Sequence, residues 1–281
     1  MSYPGFFQGQ RPEGLKRLAS YCVVIIGGFC VVALWYNREI FSLLNGQRSP
    51  VWDAFWLAWT TMGDGYLLGV ILGCFVAYYP RITALGLATL LLSAVLVQVL
   101  KALFPMARPV EVLQAVHVVG PVLRFGSFPS GHAAAGMSVG LTLYCFAASR
   151  AMKCIVATAG MLIGVSRIFV GAHFPVDVAV GMLVAVLSFV FCAAFLWPLI
   201  AERVQQRPSW NDRRFRAFYC MELAAALGAL CVYSPLFAES AIVGVAASTL
   251  ATILVAAQFR NYFSARGQRY QPEDELDRSK R

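Results

Sequence analysis

The sequence predicts an all-α protein, a polytopic bundle of eight membrane-spanning helices. Three observations lead there. Hydrophobic residues make up 59% of the 281-residue chain and charged residues only 13%, about half the charge of an ordinary soluble domain. The apolar residues fall in long blocks, and crossing a bilayer takes about 20 of them in a row. The cations sit in short segments between the blocks rather than in one patch, so the net charge of +9 reads as membrane orientation and not as a surface for nucleic acid.

Taken in order, residues 18–36 form span one. The block runs uncharged into Trp35-Tyr36, an interfacial aromatic pair, and is longer than the apolar part of a cleaved signal peptide. Residues 37–54 are polar. The apolar stretch 55–62 is too short to cross; it either lies in the interface or extends span two, whose clear part is 65–79. Span three is 82–100, span four 131–148, span five 154–170 and span six 176–200, with a long loop over 102–129. Residues 201–216 form a basic connection, 217–258 hold spans seven (218–232) and eight (241–257), and 259–281 are a charged tail. With the N-terminus in the cytoplasm, the opposite face carries Arg38, Arg48, Lys101, Arg108, Arg124 and Arg167, leaving 17 of the 23 Lys and Arg on the cytoplasmic side. The eight cysteines lie inside apolar blocks without CxxC spacing and read as packing residues, neither a metal site nor a disulfide framework. None of the asparagines begins an N-x-S/T sequon, which favours a bacterial source and the cytoplasmic (inner) membrane.

Three segments bring chemistry to that opposite face. Span three ends in Lys101 and is followed by Arg108-Pro109; span four opens Pro129-Ser130-Gly131-His132; span five ends Ser166-Arg167, and His173 and Asp177 flank the start of span six. Lys101 and Arg108 are two helical turns apart, but Pro105 and Pro109 put Arg108 on a loop. Three cations suit a phosphate dianion, and guanidinium binds its oxygens bidentately. Ser130 has the position of an N-cap. The free N–H groups of the helix it opens form an anion site, which Gly131 lets an anion approach. Asp177, one turn from His173, is placed to orient its imidazole and stabilise its cation, leaving His132 as acid or base toward a leaving oxygen. Elsewhere, Asp64 reads as a helix N-cap, His117 as a loop histidine without a catalytic role, and Arg124 as a solvated loop charge. Glu222 reads as a partner for Arg214 or Arg216, and Gly136, Gly140 and Gly181 as close-packing positions.

Together these residues closely resemble the type 2 phosphatidic acid phosphatase (PAP2) family. Its three motifs, K-x6-R-P, P-S-G-H and S-R-x5-H-x3-D, stand complete as Lys101/Arg108/Pro109, Pro129/Ser130/Gly131/His132 and Ser166/Arg167/His173/Asp177. The resemblance implies a PAP2-like six-helix catalytic core over 1–200, with the motifs in 101–177, and makes spans seven and eight an addition to it. It implies a metal-independent enzyme without cofactor. His173 would be the nucleophile that forms a phosphohistidine, Asp177 its orienting carboxylate and His132 the proton donor to the leaving group. Lys101, Arg108 and Arg167 would bind phosphate, with Ser130 and Gly131 adding hydrogen bonds. Members of this membrane type act on lipid phosphates or diphosphates at the outer face. Undecaprenyl diphosphate is the favoured substrate, because that carrier must be dephosphorylated there. Phosphatidylglycerophosphate, phosphatidic acid and lipid A 1-phosphate are the alternatives. Transfer of the phosphate to a second lipid would use the same intermediate, so both readings stand at this point. A vanadium haloperoxidase shares the motif types, but those enzymes are soluble. A non-catalytic lipid transporter would not need His132, His173 and Asp177 together. The sequence carries no signal for an oligomeric state.

Overall fold

The computed structural model describes residues 15–76 and 79–204, with scattered positions between 220 and 253. Spans seven and eight, most of the basic connection, the pairing of Glu222 and the tail lie outside the described residues. Within them the protein is all-α, with one isolated antiparallel bridge between Ala107 and Phe125. The helices are α1 (Leu15–Trp35), α2 (Asn37–Asn45), α3 (Pro50–Met62), α4 (Gly65–Gly73), α5 (Pro80–Leu103), α6 (Pro109–Val112), α7 (Gly131–Phe146), α8 (Arg150–Phe169), α9 (Pro175–Phe191) and α10 (Trp197–Arg203). A π-helical turn, Cys192–Leu196, joins α9 to α10, so helix runs unbroken from Pro175 to Arg203.

Four helices among the described residues are long and apolar enough to cross a bilayer: Arg17–Trp35, Pro80–Leu103, Arg150–Phe169 and Pro175–Arg203. The protein is an integral, multi-pass membrane protein. The expected second span is shorter than its sequence block. α4 has nine residues, a length of about 14 Å at 1.5 Å per residue, against a hydrocarbon core of about 30 Å. The stretch 55–62 does not continue into α4 as one helix. It belongs to α3, a helix of its own packed on α8. Ser49 starts α3, accepting from Trp52 N, with Pro50 in the first turn. Gly63 ends it, and Asp64 begins α4 by accepting from Tyr66 N and Leu67 N, as its N-cap reading expects.

α7 is the centre of the bundle, packed against α8, α9 and α5 and buried along 133–142. Small residues make this possible. A Cβ on Gly140 would meet the Val156 carbonyl and the Cα of Gly160, and one on Gly160 would meet the Gly136 carbonyl. The two helices therefore touch backbone to backbone, the way membrane helices associate when apolar burial gives no preference over lipid. α9 supplies much of the apolar core through Val178, Ala179, Ala185, Val186 and Phe189. This packing brings the C-terminal ends of α5 and α8 and the N-terminal ends of α7 and α9 to one end of the bundle.

Candidate active site

Local rules place each side chain at that end. Lys101 sits in the last turn of α5, where a cation is favoured by the helix dipole, and donates to the Gly126 carbonyl. Beyond α5 the chain folds back on itself: Arg108 N donates to Arg124 O and Ser127 N to Met106 O, both at 3.0 Å. This strip holds Arg108 on a loop, as Pro105 and Pro109 require. Its guanidinium donates to the Phe125 carbonyl at 2.9 Å and the Ala172 carbonyl at 3.0 Å. Gly126, at φ +67°, supplies the left-handed turn at which the Phe125 and Gly126 carbonyls meet Arg108 and Lys101.

Ser130 caps α7, accepting from Ala133 N, and is fully buried. Its backbone N–H donates to the Asp177 carbonyl at 2.9 Å, so the starts of α7 and α9 are tied together. Gly181 lets them meet: a Cβ there would run into the Ser130 carbonyl. Arg167, at the end of α8, is 7% exposed. It donates to Thr60 Oγ1 of α3, while its Nε is buried without a partner.

His173 lies between α8 and α9, 2% exposed. Arg108 Nη1 is 3.3 Å from its Nε2. Guanidinium has no acceptor, so Nε2 presents its lone pair and the ring proton is on Nδ1. Burial first, then the charges of Arg167, Arg108 and Lys101, hold this imidazole well below its ordinary pKa, with the Ser127 carbonyl pulling the other way. The ring is therefore neutral near pH 7. Asp177 Oδ2 lies 3.7 Å from Nδ1, and Nδ1 closes no hydrogen bond of acceptable geometry. That carboxylate oxygen is held instead by Ser127 Oγ at 2.6 Å and by Phe174 N at 3.0 Å.

His132, in the first turn of α7, is half-buried and lines two cavities. One, of about 580 Å³, is almost wholly apolar and is bounded on α5 by residues from Leu87 to Gln98, about 16 Å of helix. The other, of about 240 Å³, is bounded by Thr60, Asp64 and Arg167. All eight residues picked from the sequence thus lie at one end of the bundle, around a buried centre of positive charge. Among the described residues, no three His, Cys, Asp or Glu side chains gather as a metal ion would require.

Residues 81–201 match the PAP2 superfamily. The crystal structure of Aquifex aeolicus LpxE superimposes with a TM-score of 0.54 at 31% identity, over 57% of this chain and 95% of that one. The chain belongs to the PAP2 superfamily. It is therefore an enzyme of the membrane lipid phosphatase type. Other relatives are an undecaprenyl-diphosphatase of Sulfolobus acidocaldarius, 24% identical over 172 residues (60% of this chain and 82% of the relative), and the bacitracin transport permease protein BcrC of Bacillus licheniformis. The second is 38% identical over 95 residues, 30% of this chain and 46% of BcrC.

Four residues that motif reading leaves out touch this machinery. Thr60 receives Arg167 and Ser127 receives no mention in any motif, yet its hydroxyl holds Asp177. Asn37 accepts from Val176 N at the start of α9. Asn45 accepts from His117 N and donates to the carbonyls of His117 and Phe169, tying the long loop to the end of α8. Their partners are 50 to 139 positions away, so no local spacing marks them. The side positions behave as ordinary contacts: His117 pairs with Asp53 at 2.9 Å and Arg124 with Glu111.

Proposed function

We propose that the protein hydrolyses a lipid diphosphate at the outer face of the membrane through a phosphohistidine on His173, without a metal ion, and that undecaprenyl diphosphate is its substrate. The observation that carries this reading is the place of His132 between the cation centre and the long apolar cavity. A proton donor to a leaving oxygen must stand on the leaving-group side of the phosphorus. Here that side is mainly apolar for about 16 Å along α5, with Ser93 and Gln98 its polar members, which suits the chain of a lipid monophosphate leaving group.

In this mechanism Lys101, Arg108 and Arg167 take the phosphate oxygens, joined by the N–H groups at the start of α7 beside Ser130 and Gly131. As phosphate draws Arg108 away, His173 Nε2 is freed and attacks phosphorus in line. The bond from the terminal phosphorus to the bridging oxygen breaks as His132 gives the oxygen a proton, and the lipid monophosphate leaves. Water then attacks the phosphohistidine with His132 as base, inorganic phosphate leaves, and Nε2 recovers its electron pair. Buried, preorganised cations stabilise the charge that builds on the equatorial oxygens. The undecaprenyl-diphosphatase among the relatives supports an isoprenoid diphosphate over the glycerolipid and lipid A phosphates. The test is phosphate release by the purified protein from a panel of these lipids, with chelator present. Undecaprenyl diphosphate should give the highest kcat/KM, and vanadate should inhibit. Activity abolished by chelator and restored by Mg²⁺ would refute metal independence, and preference for phosphatidic acid would refute the substrate.

A further inference from the structure

Asp177 Oδ2 is contested. Two buried donors hold it, Ser127 Oγ at 2.6 Å and Phe174 N at 3.0 Å, while His173 Nδ1 stands off at 3.7 Å. Ser127 is 1% exposed, so water does not compete for its hydroxyl, and a hydroxyl-to-carboxylate bond of this length is charge-assisted and strong. It both draws charge out of the carboxylate oxygen and fixes that oxygen away from the imidazole. The general carboxylate–histidine arrangement would have the opposite geometry, with the N–H of the ring bonded directly to the carboxylate.

We propose that Ser127 is a positioning residue which, by holding Asp177, keeps the phosphohistidine on His173 labile. The inference rests on His173 being the nucleophile. In the first step the Nε2–P bond forms at the terminal phosphorus as its bond to the bridging oxygen breaks, the proton of His132 passes to that oxygen, and the lipid monophosphate leaves. In the second, water adds to phosphorus and its proton returns to His132; the P–N bond breaks with its electron pair going back to Nε2. A carboxylate bonded closely to Nδ1–H makes the ring more basic. That favours the first step and hinders the second, since a more basic nitrogen is a poorer leaving group. Ser127 shifts the balance toward release, a need specific to an enzyme that must turn over its covalent intermediate.

The experiment is rapid-quench trapping in the full-length, detergent-solubilised protein, using farnesyl diphosphate radiolabelled on its terminal phosphate and an unlabelled chase. Ser127→Ala should slow decay of the labelled enzyme by roughly three- to tenfold, the rate equivalent of an ordinary hydrogen bond, and raise the labelled fraction at steady state. Ser127→Thr keeps the hydroxyl and should restore fast decay; Ser127→Cys, a weak donor, should fall between. A merely structural role would lower the amount of active enzyme and leave the decay rate unchanged. Decay of Ser127→Ala at the wild-type rate, or faster, overturns the inference while leaving the nucleophile in place. Absence of label on the wild-type protein overturns both. If Ser127→Ala does not fold, the order of decay rates wild type, Thr and Cys decides.

Discussion

The two site histidines differ in their surroundings, and the difference sets what each substitution should do. His173 presents Nε2 to Arg108 inside a buried cation cluster; His132 stands where that cluster meets an apolar cavity. His173→Ala should abolish both turnover and trapped phosphoenzyme. His132→Ala should lose about 10²- to 10⁴-fold with an alkyl phosphate and far less with an aryl phosphate, whose oxygen leaves without a proton. Label trapped by His173→Ala and not by His132→Ala would reverse the assignment. The depressed pKa of His173 also has a sign for stability. Below about pH 6.5 the unfolded imidazole binds a proton that the folded one refuses. Acid therefore favours unfolding, by about 1.4 kcal/mol per pH unit until the folded ring titrates or the site opens. Thermal unfolding in detergent should fall in temperature between pH 7.5 and 5, with a shallower fall for His173→Asn. Parallel profiles would contradict this.

At the scale of elements, the site depends on helices that touch through glycine. Gly181 lies under the Ser130 carbonyl, and Gly160 under that of Gly136. Gly181→Ala should displace the start of α7 and with it Ser130, Gly131 and His132, lowering kcat more than it lowers the unfolding temperature. Gly160→Val overfills the α7–α8 contact about two turns of helix from Arg167 and should do the reverse, costing about 1–3 kcal/mol. Paired activity and thermal-shift measurements on the two variants separate these effects; equal losses in both would remove the distinction. How much was legible follows the same division. The cations, histidines and Asp177 could be read because three short motifs carry them at fixed spacing, and Asp64 and Ser130 because a helix start needs an oxygen acceptor. Ser49-Pro50 carries the signal that α3 is a separate helix, but the polar residues up to 54 hid its first turn. Thr60, Ser127, Asn37 and Asn45 were not legible. Hydroxyls and amides are common in loops and helix ends, and only the tertiary fold selects these four as partners.

For the whole molecule, the arrangement of cations predicts orientation. The end that holds Lys101, Arg108 and Arg167 should face the exterior, against the general bias of Lys and Arg toward the cytoplasm, because phosphate binding retains them there. Reporter fusions at Gly120 and at Gly267 should lie on opposite sides of the membrane, and finding both on one side would sink the eight-span arrangement. The apolar cavity beside His132 bears on selectivity in a different way from a pocket in a water-soluble enzyme. A soluble enzyme gains about 0.8 kcal/mol for each methylene it takes from water. A lipid entering this cavity leaves surroundings that are already hydrocarbon, so a longer tail brings almost no added affinity. On the proposed mechanism the cavity would work as a gauge: chains that fill it would set the phosphorus in line with His173, and chains that are too bulky or too stiff would hold it back. Among lipids presented in a bilayer, tail structure should therefore change kcat while KM, expressed as a fraction of the membrane lipid, stays nearly constant.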